Sequence, residues 1–178
     1  MTSVADAIRH APFKLYGLDK LFDGPRLVRS WELDVDGLPT MISLAHGLPA
    51  DDTSDAPVIE VGVRQRSVSI DILDTLTEAL VASTYLVVSG GFEEWRRETL
   101  RTVGDWTSST ILVAGRDCRF RRRGFADHWV AVTEIDACWL FVHSRQMPRF
   151  EVRLDLINVE LYIAGSDRCG ANLSALTT

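Results

Sequence analysis

The sequence predicts an α+β fold: a twisted, mainly antiparallel sheet of six to nine strands, two main helices (71–83, 92–103) packed on one face, and a C-terminal β-meander. Three observations predict it. Apolar residues alternate with polar ones through most of the chain, which is the period of a half-buried strand. The period changes to that of a helix in two central places. Turn dipeptides, Asp36-Gly37, Gly115-Arg116 and Asp136-Ala137, separate the alternating runs, so that sequence neighbours become antiparallel sheet neighbours.

The elements follow in order. Residues 1–25 carry only short helical turns: Val4 and Ile8 are four apart, Pro12 suits the start of a turn, and Asp23-Gly24-Pro25 closes the segment. Leu27, Arg29, Trp31, Leu33 and Val35 alternate with more polar neighbours, and Asp36-Gly37 then leads into the run 40–45, which predicts a hairpin with a type I′ turn. Residues 47–57, rich in Asp, Pro and Gly, read as a connection within the domain. After a β-rich run over 58–69, Ile72, Leu76, Ala79 and Leu80 form a helical stripe, and 85–88 reads as a short buried strand. In the second helix Phe92, Trp95, Thr99, Leu100 and Val103 share a face. Glu93 and Glu94 sit in its first turn, basic residues later, and Gly104 at its stop, all in accord with the helix dipole.

Beyond Trp106 nearly everything is strand. Around Gly115-Arg116, Ile111, Val113, Cys118 and Phe120 fall on one face, and Leu112, Arg119 and Arg121 on the other. Runs over 128–135 and 138–145 flank Asp136-Ala137. In the last run, 150–163, the apolar parity switches near Leu156-Ile157, which predicts a bulge or a strand buried on both sides. The helices between early and late strands leave room for one parallel pairing. The end, 165–178, is small and polar and reads as a frayed tail.

With 178 residues, 46% of them hydrophobic and 25% charged, the chain has the size and composition of a single globular domain over 1–178 with a self-sufficient core. Cys118, Cys138 and Cys169 are too widely spaced for a zinc or redox motif and propose no disulfide framework. The first eighteen residues lack the apolar run of a signal peptide, and no stretch approaches a membrane span, which leads to a cytoplasmic expectation with no membrane partner. The net charge of −6, with only the segment 61–124 mildly basic, disfavours nucleic acid as a partner, because displacing counterions from phosphates needs a contiguous positive face.

Several constellations are candidates for chemistry. Arg119, Arg121 and Arg123 recur every second residue and project from one strand face, either as an anion-binding strip or as charge on a solvated edge strand. Pairing around Asp136-Ala137 sets Val130 opposite His143 and His128 opposite Arg145, bringing His128 and His143 to one face with Glu134 beside Trp139; these three are the weak candidates for acid–base work. No HxH, HExxH or third ligand supports a metal, and no GxSxG supports a nucleophile. His10 and His46 stand alone near predicted loops. The strand-Gly-Gly-helix passage 88–94 is a tight connection, since Glu93 and Glu94 repel the anion that a phosphate cradle would hold. The stretch 121–126 fits the loose R-x-x-G-x-A pattern by which GNAT-type acetyltransferases hold coenzyme A, but a strand follows it where that motif requires a helix, so no residue is carried over.

Two functions fit. The first is a non-catalytic cytoplasmic protein-binding module of the adaptor, inhibitor or immunity type, with Trp31 or Trp106 as anchors. The alternative is a small-molecule binding protein or small enzyme with a pocket between sheet and helices, where Arg119 and Arg121 hold an anionic ligand. No cofactor is implied by either.

Overall fold

The computed structural model of the chain describes residues 8–19, 26–46, 58–66, 70–84, 91–125, 127–145 and 151–158. The expectations for 47–57, 85–88, 165–178, Cys169 and the Trp31 side chain lie outside the described residues. Among the described residues nine strands form one sheet: β1 (Tyr16–Leu18), β2 (Arg26–Leu33), β3 (Pro39–His46), β4 (Val58–Gln65), β5 (Thr107–Val113), β6 (Arg116–Gly124), β7 (Trp129–Ile135), β8 (Cys138–Arg145) and β9 (Arg153–Leu156). Two helices, α1 (Ile72–Thr84) and α2 (Phe92–Val103), lie between β4 and β5 in the chain. The sheet order is β1-β9-β5-β6-β7-β8-β4-β3-β2, with β5·β9 the parallel pair. The fold is therefore α+β, with β5 to β8 as the consecutive meander. The parallel pair does not arise from the helices, as the sequence suggests. It forms because β9, after three hairpin-linked strands, returns to the free side of β5.

The turns explain the registers. Ala114 (φ 47°) and Gly115 (φ 77°) are the two turn residues, one position earlier than predicted, so that Val113 faces Arg116 and Ile111 faces Cys118. Moving a two-residue turn by one position slides the pairing by two, which preserves every side chain's face. Asp136 (φ 48°) and Ala137 (φ 61°) turn where expected, and Val130 faces His143. The β2–β3 hairpin departs from its expected type I′ turn. Asp34 O accepts from Gly37 N at 3.1 Å, only Gly37 has positive φ (78°), and the Asp34 carboxylate accepts from the amides of Asp36 and Leu38. The acid that organises this turn is thus Asp34, through an Asx-type bond.

Each face of the sheet has its own core. On the inner face, Ile59, Val61, Val63, Phe120, Ala131, Leu140 and Val142 meet Tyr16 and Leu18 from β1, Leu154 from β9 and Val152 just before it. The sheet is rolled far enough for β1, at one edge, to contact β4 near the other. Gly17 makes this possible, because a Cβ there would lie 2.6 Å from Ile157 Cδ1 and 3.1 Å from the His46 ring. His46, which the sequence places beside a predicted loop, is fully buried at the end of β3 and accepts a long bond (3.4 Å) from the Leu18 amide, so it is a core residue. β1 itself falls in a segment predicted to hold only helical turns.

On the outer face, α1 packs Ile72, Leu76 and Leu80 against Val130, Val132 and Phe141. Its N-cap is Asp71, whose carboxylate accepts from the amides of Leu73 (2.9 Å) and Asp74 (3.3 Å). α2 buries only Thr99 and Val103; Phe92, expected on its buried face, is 40% exposed. The C-terminal half of α2 alone reaches the core. An ion pair between Arg96 and Glu78 joins the two helices. At the parity switch, β9 stops at Leu156 and the Ile157 amide crosses to Leu15 O at 3.0 Å; the rest of the expected run, 159–163, lies outside the described residues.

Candidate functional site

The helix-covered face is not covered throughout. Where α1 begins, a groove of about 630 Å³ opens between the first turn of the helix and the strands β6, β7 and β8. Ile70, Ile72, Leu73, Val132 and Trp139 supply its apolar lining, and Arg119, Arg121, Asp71 and Glu134 its charged one. Strand alternation accounts for the membership: residues 119, 121, 132, 134 and 139 all project from the outer face, in rows set by Arg121↔Val132 and Glu134↔Trp139.

Of the sequence-predicted strip, two arginines line the groove and one does not. Arg119 donates through Nε to Ser108 Oγ at 2.7 Å, leaving its terminal nitrogens for other acceptors. Arg121 lies over Trp106, 5.8 Å from the ring centroid. Arg123 is a brace: Nε donates to Gly104 O at 2.8 Å and Nη1 to Thr77 Oγ1 at 3.2 Å, which ties β6 to both helices.

The three acid–base candidates are not brought together. Glu134 is in the groove but accepts from Arg66 at 2.8 Å, and Arg66 lies over Trp139 at 5.7 Å. His128 precedes β7, outside the ladder that was expected to pair it with Arg145; its carbonyl accepts from the Phe125 amide at 2.6 Å, and its Nδ1 lies 3.4 Å from Asp127. His143 is buried on the outer face under the last turn of α1, with Nε2 3.1 Å from Ser83 Oγ. Neither histidine lines the groove.

Around His143 lies a polar row that sequence reasoning missed. Glu60 stands opposite His143 across β4·β8, and the Ser43 hydroxyl donates to Glu60. An acid, a histidine and a serine in sequence along one row suggest a nucleophilic relay, but the proton inventory opposes it. Ser83 gives its hydroxyl hydrogen to Leu80 O at 2.8 Å, so in this arrangement His143 Nε2 is the donor toward Ser83 Oγ and receives no proton from it. The row anchors α1 to the sheet.

Sequence reasoning also passed over Arg122, the one arginine of the run that alternation sends to the inner face. It lies over Trp129 at 4.4 Å, and burial lowers its pKa below the usual guanidinium range. The thiol of Cys138, buried on the same face, has its pKa raised by that burial. Among the described residues no cluster of three or more His, Cys, Asp or Glu side chains is placed to hold a metal, and no helix is long and apolar enough to cross a membrane. No family model matches the chain, and no curated protein or solved structure is detectably similar to it.

Proposed function

We propose that the protein binds a small amphipathic anion in the groove between α1 and strands β6 to β8, its apolar or aromatic body on Ile70, Leu73, Val132 and Trp139 and its charged group on Arg119 and Arg121. One observation carries this reading: two guanidinium groups with unused donors border a concave, largely apolar space of about 630 Å³, within the size range of small-molecule sites. Carboxylate, sulfonate or phosphate all suit the fork geometry. Glu134, held by Arg66, favours a neutral wall over a proton-transfer group, so the reading is one of binding without turnover. The helix amides beside the groove are already capped by Asp71, which leaves the arginines as the anchor.

The probe is 8-anilinonaphthalene-1-sulfonate, which combines aromatic rings with one anionic group. The expected result is saturable binding at one site, with the double variant Arg119→Ala/Arg121→Ala weakening it by roughly tenfold, the effect of one to two charge-assisted hydrogen bonds at a partly hydrated site. Equal binding by wild type and double variant, at unchanged stability, removes the reading.

A second reading, docking to another protein, has its own support. The β2–β3 hairpin carries Leu33 (38% exposed), Val35 (102%) and Leu38 (49%) at its tip, an apolar cluster beside the edge strand β2. It stands as the alternative if the groove takes no anion.

A further inference from the structure

We propose that a second hollow, on the other side of the sheet, is a binding site for a small monocarboxylate anchored by Arg122. This hollow, about 320 Å³, lies beside β5 near where β9 begins, and its lining includes Ser109, Ile111, Asp117, Arg122, Trp129 and Val152. It is separate from the groove of Arg119 and Arg121, because successive residues of β6 project to opposite faces.

Three observations converge on an anionic ligand. First, the Arg122 guanidinium is half-buried, lies over the Trp129 ring, and makes no hydrogen bond or ion pair with any described residue. A charged group partly withdrawn from water with all its donors unused is costly to keep, and an acceptor in the hollow removes that cost. Second, the Ser109 hydroxyl is fully buried with no hydrogen-bond partner. The register Ser109↔Phe120 makes Arg122 its diagonal neighbour on the same face, so both polar groups address one space. Third, the Arg122 guanidinium lies over the Trp129 ring, 4.4 Å from its centroid, a contact that uses none of the N–H donors of the fork.

The rim selects the charge of the ligand. Glu151 lines the hollow, paired with Arg153 at 3.1 Å, while Asp117, also at its rim, projects to the opposite face with Arg119 and Arg121. The Glu151 carboxylate beside a single arginine disfavours a dianion such as phosphate and leaves a single carboxylate as the matching group. Ile111 and Val152 provide an apolar wall for a short aliphatic or aromatic body.

The test is an NMR titration, in the Arg119→Ala/Arg121→Ala background so that the first groove does not contribute, with benzoate, benzamide and inorganic phosphate as probes. Benzoate is expected to shift the Arg122 Nε–H and Trp129 indole resonances saturably. Benzamide and phosphate are expected to bind at least tenfold more weakly. Arg122→Gln and Arg122→Lys are both expected to weaken benzoate at least tenfold, the lysine because it lacks the fork, and Ser109→Ala by several-fold. Glu151→Gln is expected to strengthen benzoate and admit phosphate, a gain that damage to the fold cannot mimic and that decides the matter if an Arg122 variant does not fold. Benzamide or phosphate binding as well as benzoate, or benzoate binding unaffected by Glu151→Gln and by the Arg122 variants, overturns the proposal.

Discussion

The two faces of the rolled sheet bury comparable apolar side chains against different cover. The inner face is closed by the sheet itself, with β1 and β9 returning over β4 and its neighbours. The outer face is closed by α1 along its length and by the C-terminal half of α2. A cover made of strands in the same hydrogen-bonded sheet cannot slide independently, whereas a helix resting on side chains can settle by a fraction of an ångström. The difference explains why the larger groove lies on the helix side: one helix is narrower than four strands, and the surface it leaves bare at its N-terminal end is where Arg119, Arg121 and Trp139 emerge.

The comparison can be broken by cavity mutants. Phe120, fully buried on the inner face, is expected to cost about 3–5 kcal/mol as Phe120→Ala. Leu80→Ala, equally buried under α1, is expected in the lower part of the roughly 2–5 kcal/mol range, because the helix can move into part of the space. Urea denaturation of both variants measures this, and a larger loss at Leu80 makes the helix layer the more rigid cover. A smaller effect sharpens the link between the layers. Arg123→Ala removes bonds from β6 to the Gly104 carbonyl and the Thr77 hydroxyl, and is expected to cost about 1–2 kcal/mol without changing anion binding in the groove. Hydrogen exchange at the end of α2 reports it directly.

The smallest effect concerns the contact between the helices themselves. The Arg96 hydrogen bond lowers the pKa of Glu78 below its ordinary 4.5. A carboxylate whose folded pKa is depressed contributes stability above its unfolded value and loses it as pH falls through the folded one. The stability gap between wild type and Glu78→Gln is therefore expected to be present at neutral pH and to close progressively below pH 4.5. The pair is well exposed, so the gap is small and shrinks with added salt.

Much of the candidate site could be read along single strands. Period-two alternation placed Arg119 and Arg121 on one face, and the Asp136-Ala137 turn placed Glu134 beside Trp139. It could not separate Arg123 from its neighbours, because what makes Arg123 a brace is the end of α2, nineteen residues earlier in the chain. Nor did it single out Arg122, although the same alternation sends that residue to the face of Phe120; its Trp129 partner depends on the β6–β7 register. The polar row Ser43, Glu60, His143 and Ser83 joins three strands and a helix, and no local pattern relates them.

The sequence by itself determined the element types, the helix spans to within a residue, the meander and the inward or outward direction of side chains from β5 to β8. These depend on local periodicity and on turn residues that tolerate positive φ, which act over a few positions. Tertiary structure alone decided that β1 exists, that β9 runs parallel to β5, that His46 is core, and where α1 stops covering the sheet. Each of those is settled by burial against a distant segment. A three-residue strand such as β1 carries too little pattern of its own to be specified until its neighbour β9 and the His46 ring are in place.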